Sequence, residues 1–116
     1  MDRATALAEL RGLSTQVVEA VIVGTDGEIE ASSTATLVRA EALAAAGGEL
    51  LGAAAEVRTG AELPTRVEVQ LPEGGLFAVR ESGRTLVATT VAEPTAALVV
   101  YDLRAALRAL AEDTEA

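Results

Sequence analysis

The chain contains no cysteine, histidine, tryptophan or lysine, and its aromatic residues are one phenylalanine and one tyrosine, Phe77 and Tyr101. The absence of Cys excludes disulfides and thiolate metal sites. There is no His to act as acid–base and no Cys to act as nucleophile, and neither a glycine-rich phosphate loop after a strand nor a GxSxG elbow occurs. Positive charge is scarce as well: nine Arg are dispersed among 18 acidic residues, for a net charge of -9. A phosphate-binding surface needs clustered Lys and Arg, so nucleic acid is excluded as a partner. No apolar run approaches the roughly 18 residues needed to span a bilayer, so no membrane insertion is expected. The start, MDRATALAEL, carries acidic residues and lacks the basic region and apolar stretch of a signal peptide, which predicts a cytoplasmic protein.

What remains is rich in small aliphatics. Half of the 116 residues are apolar, enough for one domain over 1–116 with a single core of Ala, Val, Leu and Ile. The most apolar stretch is a helix read from about Ala35 to Val57. At 100° per residue, Leu37, Ala40, Leu43, Ala44, Gly47, Gly48, Leu50, Leu51, Ala54 and Ala55 fill an arc of roughly 160°. Glu41, Glu49 and Glu56 fall on the opposite side. A surface helix needs a stripe of roughly 100°, so the surplus predicts a second contact, the same helix of another copy. The row Ala40, Ala44, Gly48, Gly52 would let two backbones approach closely. Composition alone also explains it, since Ala and Gly are abundant and every basic residue is Arg, and Gly47-Gly48 could instead kink the helix.

Taken in order, Asp2 caps a short helix from about Ala4 to the Gly12 stop, with Leu7 and Leu10 on one face. Val17 to Val23 is apolar on both alternating faces, Val17, Val21 and Val23 on one and Val18, Ala20 and Ile22 on the other, as in a covered central strand. Asp26-Gly27 suits a type I′ hairpin into a return strand, Ile29 to Ser32. Ser32, Ser33 and Thr34 are the cap candidates for the long helix, which exits through Arg58 to Glu62 and Pro64. Thr65 to Leu71 alternates Val67, Val69 and Leu71 against Arg66, Glu68 and Gln70, which predicts an edge strand. Pro72 to Gly75 turns the chain into Leu76 to Ser82, and Gly83-Arg84 turns it into a central strand, Thr85 to Ala92. Thr95 caps the last helix, in which Val99, Val100, Leu103, Ala106, Leu107 and Leu110 span roughly 120°, and Glu112 to Glu115 is read as a frayed end.

Little in this pattern carries chemistry. Asp26 with Glu28 could be a carboxylate pair, but solvated turn residues explain them. With Glu30 they surround a tight hairpin, not a loop of spaced oxygen ligands, so no metal is expected. Arg58 and Arg84, placed in loops, are the candidates for an arginine finger, against the plain reading of exposed arginines.

The order helix, strand, strand, helix, three strands, helix resembles the roadblock / dynein light chain family. VEAVIVGTDGEIEASS at 18–33, the Ala-rich helix after it and LFAVRESGRTLVATTVAEPTAALVVYDLRAALRAL at 76–110 carry the resemblance, with Asp26-Gly27 and Gly83 in place. It implies an α+β fold: a five-stranded antiparallel sheet with the long helix on one face and the terminal helices on the other. It also implies a homodimer in which the long helices pair and the third strands join two sheets. Bacterial members commonly bind and regulate a small Ras-like GTPase without a catalytic residue of their own. The expected dimer interface is Leu37, Ala40, Ala44, Gly47, Gly48, Leu51, Ala55, Val67 and Val69. Glu41, Glu49 and Glu56 would lie near the partner surface, with a solvated helix face as the plainer reading. No catalytic, cofactor or metal residue is expected. The alternatives are a small-molecule-sensing domain, which needs a pocket with convergent polar groups, and a passive dimeric scaffold.

Overall fold

The computed structural model describes residues 2–57 and 64–115, of which 112–115 by backbone alone. The elements run α1 (Arg3–Leu13), β1 (Val17–Val23), β2 (Ile29–Ser32), α2 (Leu37–Glu56), β3 (Arg66–Leu71), β4 (Gly74–Glu81), β5 (Arg84–Thr90) and α3 (Ala96–Glu115). This is the expected α-β-β-α-β-β-β-α order of an α+β fold. All strand pairs are antiparallel, in the order β2-β1-β5-β4-β3. The clean alternation of β3 therefore marks an edge, and the doubly apolar β5 lies in the middle.

Two separate cores result. Against α1 and α3 the sheet buries Val17, Ala20, Ile22, Phe77, Val79, Leu86 and Ala88, which meet Leu7, Leu10, Val99, Leu103 and Leu107. Against α2 it buries Val21, Ala78 and Val87, which meet Ala40, Leu43 and Leu51. The single Phe fills the larger core, and the layer under α2 is built from smaller side chains.

The faces of β1 differ from strict alternation. Val17 pairs with Thr90 and Glu19 with Thr89, so β1 carries one extra residue there. The bulge breaks the period of two. Val17 joins the α1/α3 core, whereas Val18 is exposed and Glu19 reaches toward α2. Simple alternation had assigned Val17 to the face of Val21 and Val23.

Helix ends also depart from expectation. α1 continues past Gly12 to Leu13, with Asp2 accepting from Thr5 N at 2.8 Å. The cap of α2 is Thr36, whose hydroxyl accepts from Arg39 N at 3.1 Å. Ser33 is unavailable for capping because its hydroxyl accepts from Ala20 N at 2.9 Å, prolonging the contact between β2 and β1. Thr34 donates to Thr36 O. Gly47-Gly48 lies inside one uninterrupted 20-residue helix. Thr95 precedes α3, its carbonyl accepting from Leu98 and Val99 and its N–H donating to Gln16. The helical backbone of α3 extends through Glu115.

The hairpin turn at Asp26-Gly27 differs from the expected type I′ geometry. At Asp26-Gly27 only Gly27 has positive φ, at 86°, and Gly27 N donates to Gly24 O, so the loop is a four-residue turn ending in a left-handed glycine. The turn read at Gly83-Arg84 lies one residue earlier: Ser82 and Gly83, both with positive φ (54° and 80°), form a two-residue type I′ turn, and Arg84 already pairs with Glu81. Gly74 and Gly75, read as turn, belong to β4. A β-carbon at Gly74 would collide with Thr90 O, which requires glycine where β4 and β5 begin to pair.

Candidate functional site

The face bearing α2 is covered incompletely. α2 starts over β1, where Arg39 and Glu19 pair at 2.9 Å, and its Leu51 reaches the cluster that includes Val67 of β3. Beside it lies an open groove of about 1060 Å³. Its helix wall carries Ala42, Ala46, Leu50 and Ala53, and its sheet wall carries Val18, Val69, Leu71, Leu76 and Thr90. Leu71 is 50% exposed, and Val69 is half-buried. The walls of the groove are therefore largely apolar and in part open to solvent.

The edge beside the groove has a defined polarity. Arg80 N donates to Thr65 O at 2.8 Å, and the β3–β4 register continues as Arg66 opposite Val79. In an antiparallel pair the bonded residues alternate. Val67, Val69 and Leu71 therefore direct their backbone groups at β4, and those of Arg66, Glu68 and Gln70 point out of the sheet. Arg66 and Glu68 pair at 3.2 Å within the strand.

The residues expected at a dimer contact divide into two groups. Ala40, Gly47 and Leu51 are buried against the chain's own sheet. Gly47 is kept small by Val87 of β5, since a β-carbon there would overlap a Val87 methyl. Gly47 thus has a reason to be small within one chain, and it stands outside the row Ala40, Ala44, Gly48, Gly52 read for close helix approach. Leu37 is 67% exposed, Gly48 is exposed with open space around it, and Ala44, Ala55, Val67 and Val69 are half-buried. The row Ala40, Ala44, Gly48, Gly52 winds from the sheet to solvent. Glu41, Glu49 and Glu56 are all exposed, and Glu49 stands at the groove.

Of the polar residues at the groove, Arg39, Thr89 and Thr90 are paired within the chain, whereas Glu49 and Glu73 are exposed. The Glu19 carboxylate receives Arg39 and, at 3.2 Å, the Thr89 hydroxyl. The bond from Arg39 holds Glu19 below the ordinary glutamate range against the opposing effect of burial, and Glu19 in turn raises Arg39. Thr90 accepts from Gly75 N and donates to Val91 O, each at 3.0 Å. The bulge that brings Glu19 beneath Arg39 left no mark in the sequence, where Glu19 stood as an exception in an apolar strand.

The other candidates resolve differently. Arg84 opens β5 and pairs with Glu30 at 2.8 Å, its side chain only 16% exposed, so it is not a free finger. Arg58 and the rest of 58–62 lie outside the described residues. Asp26 accepts from Glu28 N at 3.0 Å as a turn residue, and both side chains are solvated. Among the described residues no group of three or more acidic side chains is placed to hold a metal ion, and no helix is long and apolar enough to cross a membrane.

This arrangement, a five-stranded antiparallel sheet with one long helix on one face and two on the other, is the Roadblock/LC7 fold. A Roadblock/LC7 domain from Streptomyces avermitilis superposes with a TM-score of 0.85 over 100% of both chains at 20% identity. MglB in a tetrameric arrangement matches at TM-score 0.69 and 18% identity, covering 93% of this chain and 84% of that one. Myxococcus xanthus MglB matches at 0.67 and 14%, covering 97% and 84%. No family model and no curated protein matches the chain.

Proposed function

We propose that the chain is a non-enzymatic adaptor that forms a homodimer through the β3 edge and the outer side of α2 and binds a small Ras-like GTPase. The observation that carries the dimer is the outward edge of Arg66, Glu68 and Gln70 beside a groove that one copy leaves open. A twofold pairing of β3 with its copy places the C-terminal half of the partner's α2 beside the open corner at Val69 and Leu71. Among the even registers, centring the pair on Val67 sets Arg66 opposite Glu68 of the other copy twice. Centring it on Glu68 opposes two carboxylates, which is unfavourable.

The GTPase reading rests on the roadblock resemblance and on the MglB likeness in fold. Glu41, Glu49 and Glu56 would contribute an acidic surface for Arg or Lys of that partner. The test is a pull-down from native lysate on the immobilised protein with GDP and, in parallel, a non-hydrolysable GTP analogue. Nucleotide-dependent retention of one small GTPase supports the proposal, and retention in neither arm overturns it.

A sensor is the second reading, and the size of the groove favours it. Within its polar lining Arg39 is committed to Glu19 and Thr90 to Gly75 and Val91, which leaves the exposed carboxylates Glu49 and Glu73 as the polar groups open to a ligand. Closure of the groove by a second copy separates the two readings, because a sensor pocket must stay open to its ligand.

A further inference from the structure

The opposite side of the molecule carries a second groove, of about 270 Å³, between the outer surfaces of α1 and α3. Its floor is Ala6 and Leu10 from α1 with Ala106 from α3, and Ala105 and Ala109 of α3 flank it. Its rim is apolar and wet: Leu13 is 79% exposed and Tyr101 67% exposed. Leu98, 52% exposed, falls at the same angle on α3 as the groove residues, about one turn nearer the helix start. Exposed Leu and Tyr grouped on one two-helix surface mark an interaction site, and Tyr is a preferred anchor there. Small side chains between two helices leave room for the ridge of a third.

Charge identifies the occupant. Glu9 and Asp102 line the groove, and among the described residues no Arg does. Arg11 falls on the far side of α1 from Glu9, and Arg108 is held by Glu81 at 2.8 Å. We propose that this groove docks an amphipathic helix of another protein, one with a leucine-sized apolar stripe flanked by Lys or Arg. A second copy of this chain is disfavoured because it brings its own Glu9 and Asp102 and a net charge of -9. An anionic membrane surface is disfavoured on the same ground.

Tyr101 is the only tyrosine and there is no tryptophan, so tyrosine emission reports on this groove alone. The probe is a synthetic helical peptide free of Tyr and Trp, with Leu at i, i+3, i+4 and i+7 and Lys on its flanks. Two controls share its length: one with Glu in place of Lys, and one with the Lys and Leu scrambled to abolish the stripe. The expected result is a saturable change in emission with the Lys-flanked peptide, at least about tenfold tighter than with either control. The Leu13→Ala/Leu98→Ala variant, altered only at exposed positions, should bind about tenfold more weakly with an unchanged circular dichroism spectrum. Asp102→Asn should reduce the salt dependence. No response, an equal response to either control, or emission that varies with the protein's own concentration would overturn the proposal.

Discussion

A β-carbon placed on Gly47 would overlap Cγ2 of Val87 and stand 2.9 Å from Cγ1, whereas one on Gly48, the next residue, would meet nothing within 4 Å. Two adjacent glycines on one helix thus have opposite reasons to be small. Gly47→Ala must push Val87 out of a close-packed layer and should destabilise the fold by about 1–3 kcal/mol. Gly48→Ala should raise helix stability by up to about 1 kcal/mol. Chemical denaturation of the two variants checks the pair, and if Gly48 lies in a helix–helix contact its variant should also dissociate more readily.

Leu51 and Leu37 make a second contrast. Both were expected at the dimer contact, yet Leu51 is 1% exposed and Leu37 67%. Leu51→Ala should cost about 2–5 kcal/mol by opening a cavity beneath α2. Leu37→Ala should change the stability of the single chain by no more than about 0.5 kcal/mol. Equal losses at the two positions would contradict this placement of α2.

The Glu19–Arg39 pair gives the pH dependence. Arg39 lowers the glutamate's affinity for a proton in the folded state. Its contribution is therefore complete above the ordinary value of 4.5 and is lost as pH falls through the lower folded value. The pair is partly exposed, so the effect should not exceed about 1 kcal/mol. The stability gap between wild type and Glu19→Gln should be present near neutrality and shrink in acid, as measured by urea unfolding across pH.

Proline separates the two edges of β3. At Val67 it removes an N–H directed at β4, and at Glu68 it removes one directed outward. Val67→Pro should damage the fold itself. Glu68→Pro should leave the monomer folded and weaken association, with sedimentation velocity and circular dichroism reporting the two effects independently.

The sequence carries the fold largely through periodicity. Alternation in Val67, Val69 and Leu71 identified the edge, and the wide arc of α2 announced a helix with more apolar surface than its sheet covers. What alternation could not reveal is the bulge at Val18, because an inserted residue changes the face of its neighbours without changing composition. The cap at Thr36 was hidden by a run of four hydroxyl residues, Ser32, Ser33, Thr34 and Thr36, whose roles depend on which of them the neighbouring strand engages. The candidate dimer face was legible as a helix but not residue by residue, since the burial of Gly47 against Val87 is a contact across 40 positions of chain. That Tyr101 and Leu13 share one groove could not be read from either helix alone, because only the packing of α1 along α3 brings them together.

Sedimentation equilibrium of the purified chain over a wide concentration range tests the dimeric account most directly. A β3 edge and an α2 groove completed by a second copy predict a mass twice the 11.8 kDa of one chain. The same experiment on Glu68→Pro should return toward the single-chain mass. A wild-type mass of 11.8 kDa at every concentration would contradict the account.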